Sequence, residues 1–202
     1  MALSPMIMGI INVTPDSFFP GSRVGATDDA VARGREQFDA GCDIVDIGGE
    51  STRPGATPVD VKEELRRVIP VIEALSVYGP VSIDTQKSAV ARAAIEAGAT
   101  VLNDVTAEMV ELAGEFGVGY VGMHSQGDST VMQLHPHYDD VVGEIAEFLD
   151  EVAQRAVRAG VSRLWLDPGI GFGKTILHNL ALLAHVDRFV TLADRYHAGV
   201  LI

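Results

Sequence analysis

Short apolar runs alternate with longer amphipathic stretches along the whole chain, about seven times in 202 residues. The strand candidates are Met6–Asn12, Asp43–Ile47, Val81–Asp84, Thr100–Asn103, Gly119–Met123, Arg163–Leu166 and Gly199–Ile202. Most are β-branched and apolar, as strands covered on both faces are. Helix candidates lie between them. Asp28–Ala40 follows a Thr27 N-cap, and Val59–Leu75 carries Asp60, Glu63 and Glu64 ahead of Arg66 and Arg67. Pro70 is expected to kink or divide that second helix. Gln86–Ala97 stops at Gly98, and Glu108–Phe116, Tyr138–Ala159 and His178–Tyr196 complete the set. Such alternation implies a parallel sheet, either open and doubly wound or a (β/α)8 barrel. A barrel needs eight units and about 250 residues. The sequence supplies six complete units and a seventh strand at its end. No linker, repeat or low-complexity tract interrupts it, so residues 1–202 read as one α/β domain.

Charge narrows the partners. Twenty-eight acidic residues against 15 basic ones give −13, which disfavours nucleic acid as the main partner. One small phosphate-bearing substrate, held by a few local cations or a metal, stays open. Cys42 is the only cysteine. No intrachain disulfide is possible, and a buried structural thiol in a reducing cytosol is expected. Met1–Pro5 has no basic residue or signal-type apolar run, and no stretch approaches the ~20 apolar residues of a membrane span. A cytoplasmic protein is expected.

In parallel α/β folds chemistry collects after the C-terminal strand ends, and polar residues accumulate there. Asn12-Val13-Thr14-Pro15-Asp16-Ser17-Phe18 follows the first strand; it reads either as a neutral oxygen ligand for Mg²⁺ or as an ordinary Asx/Pro turn. Gly48-Gly49-Glu50-Ser51-Thr52-Arg53-Pro54-Gly55 crowds an acid, hydroxyls and a planar guanidinium beside small residues, a pattern suited to an anion. Asp84 and Asn103-Asp104 end the next two strands, with helix N-capping as the plainer role for Asp84, Thr85 or Asp104. His124 after the fifth strand reads as a base or ligand, or as a hydrogen-bonded structural imidazole. His135 and His137 lack a third zinc ligand. Asp167-Pro168-Gly169-Ile170-Gly171-Phe172-Gly173-Lys174-Thr175 is not a Walker loop. Only three residues separate Gly169 from Gly173, where four are required. Lys174 remains an anion ligand or a solvated lysine. Asp84, Asn103 and Asp167 together suit a heterocycle with a row of N–H donors, with Met123 and Phe172 against its flat face.

These blocks, in order and spacing, resemble the dihydropteroate synthase family of pterin-binding enzymes. They are the Asn12–Phe18 and Gly48–Gly55 loops, Ser82-Ile83-Asp84-Thr85, Asn103-Asp104-Val105, Met123-His124 with Gln126-Gly127, and Asp167 to Thr175 followed by His178-Asn179. The resemblance implies a TIM-type barrel, a homodimer and a sulfonamide target. It also implies transfer of a pterin-methyl group from 6-hydroxymethyl-7,8-dihydropterin pyrophosphate to p-aminobenzoate, with Mg²⁺ assisting departure of pyrophosphate. It places Asn12 on the metal, and Asp84, Asn103, Met123, Asp167, Gly171 and Phe172 around the pterin. Asp16, Thr52 and Arg53 fall on the two catalytic loops.

Departures from the family pattern are visible. Past Ser22 the first loop reads Arg23-Val24-Gly25-Ala26, and Val105-Thr106-Ala107 runs straight into Glu108 where the family has Val-Ser-Gly-Gly. The family's Ser-Arg-Lys and Arg-x-His segments are not found before Ile202. The barrel is therefore expected to be incomplete, with exposed edges at strands one and seven. The 202-residue chain is expected to be unstable or to aggregate, and to lack normal activity. The alternative to a synthase is an inactive pterin-binding relic of the same family. A methyltetrahydrofolate-binding barrel fits the Thr52-Arg53-Pro54-Gly55 loop poorly.

Overall fold

A computed structural model describes residues 5–14, 23–50, 58–127 and 132–202. Its elements alternate as the sequence predicts. They are β1 (Met8–Asn12), α1 (Arg23–Asp39), β2 (Ile44–Gly48), α2 (Val61–Leu75), β3 (Val81–Asp84), α3 (Ser88–Glu96), β4 (Val101–Asp104), α4 (Val110–Phe116), β5 (Gly119–Met123), α5 (Val141–Ala159), β6 (Leu164–Asp167), α6 (Ile176–Ala184), α7 (Val186–Asp194) and β7 (Gly199–Val200). The described residues group into two compact units, one running to Leu102 and the other beginning at Asn103.

In the first unit β1, β2 and β3 pair in parallel and in chain order. Ile11 points at Gly34 of α1, where an added Cβ would lie 3.2 Å from its Cδ1. Strand periodicity then turns Ile10 and Asn12 to the face away from the helices. Helix α2 carries Val68, Val71, Ile72 and Leu75 on one fully buried stripe, each contributing about 1.5–3 kcal/mol on burial. Asp60 caps α2 by accepting the Glu63 N–H at 2.8 Å.

In the second unit β5, β6 and β7 again pair in parallel and in chain order. An added Cβ at Gly122 would come 2.6 Å from Val152 of α5, so Tyr120 and Gly122 face the helices while Val121 and Met123 face away. Gly160, left-handed at φ 76°, ends α5. A doubly wound sheet reverses its strand order at a switch point; neither unit does. The fold class is α/β of the (β/α)8-barrel type, carried through seven strands among the described residues.

Several expected boundaries move. Helix α1 begins at Arg23, so Thr27 lies within it and is not its cap. Pro70 sits inside α2 without dividing it. Nine residues precede it in the helix, so its missing N–H costs one interior hydrogen bond. The single helix expected over His178–Tyr196 is two, broken at His185. The first opens in a capping box between Thr175 and His178. Cys42 is half-buried, not buried. It sits in the turn between α1 and β2, after Gly41 at φ 99°, outside the packed strand.

Candidate active site

The tips of β1, β2 and β3 lie level in the first unit. Asn12 is in register with Gly48, and Gly48 with Asp84. The Val13 N–H donates to the Gly48 carbonyl at 2.7 Å and fixes the exit from β1. A Cβ on Gly48 would stand 3.2 Å from Asn12 Oδ1 and 3.5 Å from Asp84 Oδ2. Glycine therefore keeps a gap between a carboxamide and a carboxylate on the face away from the helices. Asp46, two residues below Gly48 on the same face, is also buried. Among the described residues no three acidic, histidine or cysteine side chains gather around one point. An all-protein metal cage is thus not formed there. Mg²⁺ commonly takes one or two protein oxygens and completes its shell with water and substrate phosphate, and the neutral oxygen of Asn12 fits that habit.

The tips of β4, β5 and β6 carry Asn103, Met123 and Asp167 in the second unit. Met123 and Asp167 are in register and mostly buried. The loop beyond Asp167 is shaped by Gly169, Gly171 and Gly173, all left-handed, with φ of 67°, 89° and 66°. The Gly169 N–H donates to Asp167 Oδ1 at 2.7 Å. Gly171 is exposed and Phe172 half-buried. Burial pushes the Asp167 carboxyl up to about 6, against the Gly169 N–H and the Lys174 charge.

Lys174 is buried, not solvated. It is 3% exposed, and its ammonium donates to the Phe172 carbonyl at 2.8 Å, the His124 carbonyl at 3.2 Å and His124 Nδ1 at 3.0 Å. No carboxylate is among these acceptors. Burial lowers its pKa to about 7, with Asp167 pulling the other way. Donation to Nδ1 places the His124 ring proton on Nε2. Burial, and then the Lys174 charge, hold His124 down at about 4, so the ring is neutral near pH 7. Its centroid lies 4.9 Å from that of Phe148, edge-on. His124 is hydrogen-bonded through Nδ1 and packed edge-on against Phe148, as the structural reading expects.

Asp104 is fully buried and caps locally. It accepts from the Met109 N–H at 2.7 Å, the Thr106 N–H at 2.9 Å, the Thr106 hydroxyl at 2.6 Å and the Tyr120 hydroxyl at 2.9 Å. Asp84 and Thr85 do not cap α3, whose N-cap is Lys87. Asp16, Thr52 and Arg53 lie outside the described residues.

Sequence reasoning passed over Glu64, although a signal was present. It falls at the head of the stripe Val68, Val71, Ile72 and Leu75, a charge at a buried helical position, and it is fully buried.

Nearly the whole described span matches one family. The model for pterin binding enzymes covers residues 8–201. The dihydropteroate synthase of Escherichia coli K12 is 45% identical over 193 residues, covering 92% of this chain and 68% of that protein. A probable bifunctional folylpolyglutamate synthase/dihydropteroate synthase of Haloferax volcanii is 48% identical, and there the matched part is 23% of the relative's length. The dihydropteroate synthase of Xanthomonas albilineans has been solved with 4-aminobenzoic acid, at 46% identity and a TM-score of 0.85, covering 97% of this chain and 71% of that one. Its complex with 7,8-dihydropteroate superposes with a TM-score of 0.83 at 43% identity, over the same shares of the two chains. With ordered strand-tip residues, singly wound topology and these matches in agreement, the chain belongs to the dihydropteroate synthase family of pterin-binding enzymes.

Proposed function

We propose that the protein condenses 6-hydroxymethyl-7,8-dihydropterin pyrophosphate with p-aminobenzoate, giving 7,8-dihydropteroate and pyrophosphate. The observation that carries this reading is the register of polar groups at the strand tips: Asn12, Gly48 and Asp84 level in one unit, Met123 level with Asp167 in the other. In the solved Xanthomonas albilineans relatives, 4-aminobenzoic acid and 7,8-dihydropteroate are the bound molecules.

In this reading Asp84, Asn103 and Asp167 take the amino-amidine edge of the pterin, carboxylates matching its parallel N–H groups. A carboxyl near 6 is ionised at neutral pH and regains a partner when the donor edge arrives, which offsets its burial. Met123, Gly171 and Phe172 line the ring. Asn12 would hold Mg²⁺, whose charge would be the chemistry it supplies toward a pyrophosphate leaving group. Asp16, Thr52 and Arg53 belong to the loops that order the p-aminobenzoate and pyrophosphate and exclude water. A cytoplasmic homodimer that sulfonamides inhibit is part of the same proposal.

The test is direct. Protein, pterin pyrophosphate, p-aminobenzoate and Mg²⁺ are incubated, and 7,8-dihydropteroate and released pyrophosphate are quantified. Formation of both in equal amounts, at whatever rate, supports the reading. Pterin binding by calorimetry without turnover selects a binding module of the family instead. Absence of both binding and turnover removes the reading.

A further inference from the structure

One buried charge cluster in the first unit touches none of the residues assigned to ligands, yet it grips the chain just beyond one of them. Glu64 lies one turn into α2 and is wholly buried. Its Oε1 accepts the Thr85 hydroxyl at 2.7 Å and its Oε2 accepts Lys87 Nζ at 2.5 Å. Lys87 Nζ donates also to Glu50 Oε2. Glu50 Oε1 accepts the Val59 N–H at 3.1 Å, and Thr85 Oγ1 accepts the Lys87 N–H at 3.2 Å. Every carboxylate oxygen of the cluster is used. Gly49 lets it form: a Cβ there would lie 2.8 Å from Glu64 Cγ and 2.7 Å from Val68 Cγ1. Arg67 adds a bond of 2.9 Å to the Gly49 carbonyl.

A buried ion pair contributes little net stability compared with apolar packing of the same volume. What this one supplies is position. It joins three pieces: the exit of β2 at Glu50, the first turn of α2 at Glu64, and the turn Thr85–Lys87 that leaves β3. Asp84 is the residue immediately before that turn, and its Oδ2 borders the gap over Gly48. Two parallel hydrogen bonds from one carboxylate to a planar edge tolerate little displacement.

We propose that the Glu50–Lys87–Glu64–Thr85 network is the positioning device for Asp84, so that Thr85 and Lys87 set pterin affinity without touching the pterin. This inference rests on the reading of Asp84 as a pterin ligand. It is tested by calorimetry of the whole chain with 6-hydroxymethylpterin, beside thermal melts of each variant. Thr85→Val keeps the volume and deletes both hydroxyl bonds; it weakens pterin binding about tenfold, the scale of one lost charge-assisted hydrogen bond. Thr85→Ser restores the hydroxyl and brings affinity back to within about threefold. Lys87→Met, which leaves two carboxylates facing each other, weakens binding at least as much as Thr85→Val does.

Folded Thr85→Val and Lys87→Met proteins that bind the pterin as tightly as the parent overturn the inference. So does a Thr85→Ser protein that binds as weakly as Thr85→Val. Should Lys87→Met not fold, the Val and Ser pair at position 85 decides alone. A parent that does not bind the pterin overturns the underlying reading, an outcome distinct from equal binding by parent and variants.

Discussion

Two lysines follow strand tips in the two units and meet opposite surroundings. Lys87, after β3, is shared between the carboxylates of Glu50 and Glu64. Burial opposes its charge, but the two acids overcome it and its pKa rises. Lys174, after β6, is more deeply buried and reaches two backbone carbonyls and a neutral imidazole. Its pKa falls to about 7. The same side chain is therefore a permanently charged strut in one place and a group near its own midpoint in the other. The difference lies in what accepts its protons. Carboxylates compensate desolvation; carbonyl dipoles do so only in part. The first unit shapes its tip with side-chain charge, and the second with backbone groups on a glycine-rich turn.

The largest test of that contrast is Lys87→Met. It strands two carboxylates, one fully buried, and is expected to cost about 3–5 kcal/mol of unfolding free energy, read from urea melts at pH 7. Loss of less than about 1 kcal/mol would break the comparison, because Lys87 would then be no strut. Next in size is Gly169→Ala. Its Cβ would fall 1.9 Å from the His124 carbonyl oxygen at a residue with φ 67°. A cost of about 2–4 kcal/mol is expected from clash and left-handed strain together. The matching change at the other tip, Gly48→Ala, meets side-chain oxygens at 3.2 and 3.5 Å and the Asp84 Cβ at 3.9 Å, and no backbone closer. It is expected to cost under about 1 kcal/mol.

The contrast also marks how far sequence reading reaches. Strand and helix alternation was legible because period-two and period-3.6 apolar patterns are local, and all seven strands fall within a residue or two of expectation. The strand-tip residues Asn12, Asp84, Asn103 and Asp167 were legible because a polar group ending an apolar strand is itself a local signal. The His124 partner of Lys174 was not, since it lies 50 residues away. Nor was the Lys87 network, which draws on positions 50, 59, 64, 85 and 87. Glu64 alone betrayed it, by standing on an apolar stripe. The break at His185 was hidden for the opposite reason: its flanks, Leu182 and Val186, continue a helical pattern through it.

Smaller effects are expected in pH dependence. The Asp167 carboxyl, raised from 3.8 to about 6, holds its proton more tightly in the native state. The parent therefore loses stability as pH rises through that window. Asp167→Asn lacks this loss, so the variant gains on the parent by up to about 1.4 kcal/mol per pH unit between pH 4 and 6. His124, lowered to about 4, acts in the other direction over the same range and partly cancels Asp167 in the parent. The variant's own curve should accordingly slope upward with pH where the parent's is flatter. Denaturant melts at pH 4, 5, 6 and 7 decide it; parallel curves would place Asp167 among ordinary carboxylates.

Lys174→Met should have the smallest effect at low pH, because two contributions oppose. Deleting the ammonium removes three hydrogen bonds and leaves the His124 and Phe172 carbonyls unsatisfied, while relieving the burial of a charge that no carboxylate hydrogen-bonds. A net cost of about 1 kcal/mol is expected at pH 6. That cost should grow upward from pH 7. There the parent's native state holds its proton less tightly than the unfolded chain, for which the ordinary lysine value is 10.5. The parent consequently gains stability between about 7 and 10.5, and the methionine variant does not share the gain. The Lys87→Met deficit should stay level across pH 6 to 9.5, because the raised pKa of Lys87 keeps it charged in both states. Melts of both variants across that range therefore separate the two environments by slope alone. If the Lys174→Met deficit also stays level, its acceptors hold the ammonium as firmly as carboxylates would, and the division between a charge-built and a backbone-built tip is lost.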